Sequence, residues 1–423
     1  MKLSYGGEKG GLVMSKWKEY QLDEVIDKFI DYRGKTPRKV SSGIHLITAK
    51  VIKDGTILPP DEFIEPREYS LWMTRGLPQT NDVLLTTEAP LGEVALIQDE
   101  NIALAQRIIL LRGKPSILDN SFLFYSLKTR LMQHRLYARA SGSTVQGIKS
   151  AELKKVLIPL PNVETQKEIV QTLSCLDRKI ENLRKQNDTL EAIAQTLFKH
   201  WFVDFEFPNA DGKPYKSSGG AMEPSELGEI PAGWRVGKLG DVVKVNAESI
   251  SKSYQHKEIE YVDISSVGIG VLEGTTSYLF KNAPSRARRL VKHGDVIWSG
   301  VRPNRKSYLF ISHPPENLVV STGFITLTPD SIPSSYLYSW VTTESFVEYL
   351  TFNASGSAYP AIKAEHFEIA DVLLPDKFNL TKFHAVIEPM REKIHQNSRQ
   401  LQTLTKTRDL LLPKLMSGKL RIT

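Results

Sequence analysis

A single cysteine, Cys175, in 423 residues rules out a disulfide within the chain and any zinc site built from several thiolates, which fits a reducing cytoplasm. The first thirteen residues are polar and glycine-rich, and no later apolar run is long enough to span a bilayer, so no membrane association is expected. Catalytic signatures are missing as well. There is no G-x-x-x-x-G-K-[ST] loop to hold nucleotide phosphates, no H-E-x-x-H pair or other metal-ligand histidine spacing, and no G-x-S-x-G elbow to present a nucleophilic serine. A base methylase would need a glycine-rich cofactor loop and an Asn/Asp-Pro-Pro-aromatic tetrapeptide. Neither occurs, and the glycine cluster Gly268-Ile-Gly270-Val-Leu-Glu-Gly274 has the spacing of a turn. The pairs Pro60-Asp61, Pro329-Asp330 and Pro375-Asp376 lack the nearby Glu-x-Lys that a metal-dependent nuclease would add. The chain is not expected to be an enzyme.

What is present is a chain of ordinary globular composition, 41% hydrophobic and 24% charged, too long for one hydrophobic core. Its excess of basic residues, 55 Lys and Arg against 48 Asp and Glu, is compatible with a polyanionic partner. The chain is also written twice. Trp17-Lys-Glu-Tyr-Gln-Leu-Asp-Glu-Val25 is echoed by Trp234-Arg-Val-Gly-Lys-Leu-Gly-Asp-Val242, and Asn81-Asp-Val-Leu-Leu-Thr86 by Gly294-Asp-Val-Ile-Trp-Ser299. Ser141-Gly-Ser-Thr-Val-Gln-Gly-Ile-Lys149 is echoed by Ser355-Gly-Ser-Ala-Tyr-Pro-Ala-Ile-Lys363, each followed by a short apolar run ending in proline, Val156-Leu-Ile-Pro159 and Val372-Leu-Leu-Pro375. Three ordered matches at a nearly constant offset point to two duplicated domains rather than a solenoid of many short units.

Within each copy, β-branched and aromatic runs such as 44–48, 83–87, 94–97 and 108–111 alternate with Gly, Pro and Asn and read as strands closed by proline where the ladder ends. An amphipathic helix is expected near the end of each copy, over residues 121–137 and 334–350. Each copy is therefore expected to be an α+β domain. After each copy the period changes. Ile169, Leu173, Leu176, Ile180, Leu183, Asn187, Leu190, Ala194 and Leu197 recur at heptad spacing, and so do Phe383, Ile387, Met390, Ile394, Asn397, Leu401, Leu404, Arg408, Leu411 and Leu415. Asn187 falls at an a position, a device that fixes coiled-coil register. Two helices of about 36–40 residues, each with a one-sided stripe, are expected to pair antiparallel; packing of each on its own domain is the alternative.

The expected organisation is an N-terminal extension (1–13, with Met14 a possible alternative start), a first domain (14–160), a long helix (161–207), a Pro/Gly/Ser-rich linker (208–231), a second domain (232–375) and a second long helix (376–423). Candidate DNA contacts are chosen as basic residues with polar neighbours. They are Thr86, Thr87 and Arg107; Ser141, Ser143, Thr144, Gln146 and Lys149; Arg302, Asn304 and Arg305; and Ser355, Ser357, Tyr359 and Lys363. Lys and Arg neutralise phosphates, whereas Arg, Asn and Gln can also address base edges. The same basic segments also hold Arg112, Lys128, Arg130, Arg135, Arg139, Arg286, Arg288, Arg289, Lys292 and Lys306; Val301-Arg-Pro-Asn-Arg-Lys306 is the most attractive of them, and a solvated loop or simple turn explains any one segment equally well. His200 and His366, beside aromatic residues, read as structural.

The duplication, the helix end Leu197-Phe-Lys-His-Trp-Phe-Val-Asp-Phe205, the terminal Leu412-Pro-Lys-Leu-Met-Ser-Gly-Lys-Leu420 and the Ser-Gly-Ser segments resemble the specificity subunits of Type I restriction–modification enzymes, called HsdS, over residues 14–423. That resemblance implies two tandem target-recognition domains, each reading one half of an asymmetric bipartite site in double-stranded DNA, with the paired helices as a ruler. It also implies two modification subunits that carry S-adenosylmethionine and methylate adenine N6, and restriction subunits that use ATP and Mg. No cofactor is expected on this chain. The family's second helix often carries a glutamate near its end where this sequence has Lys419. Isolated, the subunit could form a homodimer, and a stand-alone bipartite DNA-binding regulator that self-associates through its helices is the alternative reading.

Overall fold

The computed structural model describes residues 3–4, 17–34, 36–251, 254–356 and 359–422. The chain forms two compact units: residues 1–182 with 401–423, and residues 183–400. Apart from Leu3–Ser4, which pair with Arg421–Ile422, the expected N-terminal extension lies outside the described residues.

The first unit is built on an antiparallel sheet in the order Leu91–Leu96, Val83–Thr87, Ile108–Gly113, Ile26–Asp31. Alternation of side chains across a strand sends Val83, Leu85, Ile109 and Leu111 into one core and Leu84, Ile108 and Leu110 into another. Both faces are covered, so these strands are continuous apolar runs rather than alternating ones. A smaller sheet runs Ile102–Leu104, Ile44–Ile47, Phe63–Ile64, Lys39–Val40, its first pair parallel.

The second unit repeats this plan. Its main sheet is ordered Tyr308–Phe310, Val296–Ser299, Phe324–Pro329, Val243–Val245, and its smaller sheet again contains a parallel pair, Glu258–Val262 with Leu318–Ser321. The outermost echoes also superimpose, since Lys18–Gln21 pairs with Leu157–Leu160 as Arg235–Lys238 pairs with Asp371–Leu374. Pro159 does not close its strand as expected: it stands inside the ladder opposite Glu19. A two-stranded sheet consists only of edges, where a missing N–H costs nothing.

The helix expected at 121–137 is two helices, Asn120–Leu127 and Arg130–Tyr137, and that at 334–350 is Ser334–Val341 and Glu344–Phe352. In each copy a threonine cuts the segment. Thr129 and Thr343 accept hydrogen bonds from the Met132 and Phe346 N–H groups (3.3 Å each), starting a new helix where the apolar period alone would continue the old one. The linker is also less open than its composition suggests. Met222–Ser225 and Gly228–Pro231 form a hairpin, and Phe207 stacks on Tyr215 and Trp234.

The long helices are Val163–Phe202 and Lys377–Met416, 40 residues each and so about 60 Å long. Each unit contains part of both, and within each the two parts run antiparallel. In the first unit Asp177 pairs with Arg408 (2.9 Å) and accepts a hydrogen bond from the Tyr125 hydroxyl (2.7 Å). In the second, Asn397 Nδ2 donates to Asn187 Oδ1 (2.9 Å), and Glu191 is ion-paired with Arg391. The stripe residues Leu173, Ile180, Leu183 and Ile387 are buried, Asn397 is 1% exposed, and Leu176, Leu190, Met390, Ile394, Leu401 and Leu404 are half-buried. Asn187 thus meets another asparagine, and each unsatisfied amide would be costly against an apolar partner, which pins the register.

Candidate nucleic-acid interface

The two Ser-Gly segments are closed by matching backbone hydrogen bonds in both units. Ser141 and Gly147 exchange backbone hydrogen bonds (2.9 and 3.0 Å), as do Ser355 and Ala361 (3.0 and 2.9 Å). Each closed loop is then pinned to the end of a central strand, by the Ile148 N–H to the Thr87 carbonyl and by the Ile362 N–H to the Gly300 carbonyl, both 2.9 Å. Glycine is required after the serine: Gly142 has φ +119°, where a Cβ would approach the Val145 carbonyl to 2.1 Å, and Gly356 has φ +105°. Just beyond each strand comes a residue of positive φ followed by proline, Ala89 (φ 51°) before Pro90 and Arg302 (φ 52°) before Pro303. In each unit the Ser-Gly segment is therefore a closed loop pinned to the end of a buried central strand.

Its outward side chains are those that can meet DNA. Ser141, Ser143, Thr144, Gln146 and Lys149 are exposed in the first unit, and Ser355, Tyr359, Lys363, Asn304 and Arg305 in the second. Ser357 lies outside the described residues. Arg107 lies beside the first loop in an ion pair with Glu88 (2.8 Å). The Arg302 guanidinium sits 4.5 Å from the centre of the Tyr359 ring, and the Arg302 backbone N–H donates to the Pro360 carbonyl (2.7 Å). Tyr359, from the second loop, is 69% exposed.

Other candidates are corrected by burial or by partners. Thr86 and Thr87 are 0% and 1% exposed in the central strand, and the Thr86 hydroxyl accepts from the Glu93 N–H (2.9 Å). They support the site without facing it. Arg112 is clamped by the buried Asp82 through two bonds (2.8 and 2.6 Å), Arg135 pairs with Glu19 (2.6 Å), Arg139 with Glu152 (3.0 Å) and Lys306 with Glu344 (2.5 Å). Lys128 lies against the Phe124 ring, and burial lowers its pKa. Two residues of the first site escaped sequence reasoning. Arg33 donates to the Ile148 carbonyl across 115 residues (2.8 Å), and Glu88 holds Arg107. No local pattern announces either contact.

Folding also gathers histidines that are dispersed in sequence. The rings of His293 and His313 lie 4.3 Å apart, those of His313 and His395 5.2 Å, and His313 bonds to Glu392 at 2.9 Å. Among the described residues, no group of His, Cys, Asp or Glu is arranged to hold a metal ion, and no helix is long and apolar enough to cross a membrane.

A family profile described as "Type I restriction modification DNA specificity domain" matches residues 14–192. The chain is 29% identical over 345 residues to the Type I restriction enzyme MjaIX specificity subunit of Methanocaldococcus jannaschii, covering 80% of this chain and 78% of that protein. It is 24% identical to the HindI specificity subunit of Haemophilus influenzae, covering 96% and 100%. Its fold is similar to the crystal structure of a Type I restriction–modification S subunit from M. genitalium, with a TM-score of 0.57 at 18% identity over 96% of this chain and 98% of the other. Those relatives are named as the specificity component of restriction enzymes rather than as methylases or nucleases. With the duplicated loops and the antiparallel helices, these matches make the chain similar over most of its length to Type I restriction–modification specificity subunits, and residues 14–192 match the DNA specificity domain of that family.

Proposed function

We propose that each unit reads one half of an asymmetric, bipartite site in double-stranded DNA, and that the chain directs two adenine-N6 methyltransferase subunits, and restriction subunits, to that site. The observation that carries this reading is the pinned loop, closed twice by matching backbone hydrogen bonds but with different side chains: Thr144, Val145 and Gln146 in one copy, Tyr359 and Pro360 in the other. A common frame supplies the same approach to DNA, and different side chains supply different half-sites. In this reading S-adenosylmethionine, ATP and Mg belong to the partner subunits, and the complex works in the cytoplasm, where DNA is accessible. A stand-alone regulator is not favoured, because the relatives are restriction-enzyme subunits.

The paired helices then set the gap between half-sites. The Asn187–Asn397 contact fixes which residues face each other, so one heptad can be removed from both helices in register as residues 184–190 and 394–400. Seven residues correspond to about 10 Å of helix, or roughly 3 base pairs. With the methyltransferase subunit present, mapped N6-methyladenine should show the same bases on either side of a shorter gap. An unchanged gap in the folded variant would remove the helices as the ruler.

A further inference from the structure

The two pinned loops are closed and pinned by matching backbone hydrogen bonds, yet the arginines beside them come from different places. Arg302 occupies the positive-φ position before proline that Ala89 fills in the first unit. Arg107 occupies the position whose carbonyl accepts from the Thr87 N–H; in the second unit, that role falls to Gly323, which accepts from the Gly300 N–H, both at 2.8 Å. The supports are exchanged too. Glu88, which grips Arg107, corresponds to Val301 through matching bridges to Gly147 and Ala361, while Tyr359, which carries Arg302, corresponds to Val145.

Arg107 (φ 72°) and Arg302 (φ 52°) are also the two arginines with positive φ among the described residues. A side chain with a Cβ is disfavoured there, and the turn alone would be served better by glycine or asparagine. Strained backbone persists where its surroundings enforce it and its side chain has a use. Both guanidiniums are pre-oriented, one by a carboxylate at Nε and one by an aromatic face. Among the described residues, the Arg302 guanidinium has no hydrogen-bond partner.

Resting on the specificity-subunit reading, we infer that Arg107 and Arg302 are the base-reading residues of their units, each addressing a guanine through its O6 and N7 atoms in the major groove. That edge presents two acceptors, which the guanidinium fork meets bidentately and an ammonium cannot. Glu88 and Tyr359 are positioning residues for the two arginines. The chain therefore reads a G·C pair in each half-site by equivalent chemistry from non-equivalent positions.

The test uses the full chain co-expressed with its methyltransferase subunit, with N6-methyladenine mapped across host DNA. Arg302→Ala should reduce discrimination at one G·C position of one half-site by about ten-fold or more, leaving the other half-site and the gap intact. Arg107→Ala should do the same in the other half-site. Arg302→Lys, which keeps the charge, should also relax that position, and Tyr359→Ala and Glu88→Gln should relax the same positions partially. An unchanged motif methylated uniformly less, with Lys restoring wild-type behaviour at 302, would make these residues phosphate contacts and overturn the inference. If the wild-type chain directs no motif at all, the underlying reading fails instead, and the two failures are distinguishable.

Discussion

Glu191→Ala should destabilise the second unit by about 3–5 kcal/mol, the usual cost of leaving a buried charge without its partner. The Arg391 side chain is only 5% exposed, with its guanidinium 4.1 Å from the centre of the Tyr338 ring and ion-paired with Glu191. An arginine cannot escape by losing its proton, and its surroundings raise its pKa further. Its Nε already lacks a hydrogen-bond partner, so little remains to compensate it. Arg391→Met should cost distinctly less, because the remaining Glu191 is 27% exposed and can turn to water, while Met fills the space apolarly. Urea unfolding followed by tryptophan fluorescence reads this directly, since Trp201, Trp234, Trp298 and Trp340 all belong to the second unit. Equal losses in the two variants would contradict the asymmetry.

A substitution at one duplicated position should have opposite effects in the two copies. Asp82 and Asp295 correspond, and both are buried at the start of a central strand. Asp82 is clamped to Arg112, so Asp82→Asn should cost about 3 kcal/mol by stranding that guanidinium. Thr328 stands where Arg112 would be, and one oxygen of Asp295 has no hydrogen-bond partner. Burial pushes the Asp295 carboxyl up, and the Lys292 N–H and Thr328 offset this only in part. With the folded pKa raised, the folded unit binds the proton more tightly than the unfolded chain. Stability from this group is therefore highest below the unfolded pKa and falls as pH rises through the folded value. Asp295→Asn should remove that dependence and raise stability by on the order of 1 kcal/mol at neutral pH. Unfolding curves of wild type and both variants between acidic and neutral pH would check the signs; a large neutral-pH loss from Asp295→Asn would contradict the account.

The architecture was legible because duplication makes a weak pattern visible twice. The Trp17/Trp234, Asp82/Asp295 and Ser141/Ser355 echoes mark a terminal strand, a central strand and the pinned loop, and the folded units place them alike. The heptad stripes and Asn187 were legible because coiled-coil packing is nearly one-dimensional: what a residue faces follows from its period. Burial on both faces of a sheet is not one-dimensional. Leu84-Leu85-Thr86-Thr87 reads equally as a strand whose polar end emerges at a site, and only the second core and the loop above it show that the threonines are enclosed. The pairs that orient the site arginines, Glu88 with Arg107 and Arg302 with Tyr359, join residues far apart in sequence and could not be read from local pattern.

The most direct test of the central claim is single-molecule mapping of N6-methyladenine in host DNA carrying the methyltransferase subunit, with and without this chain. Methylation at one asymmetric, gapped motif only when the chain is present is the predicted result. Methylation that does not depend on the chain would contradict it.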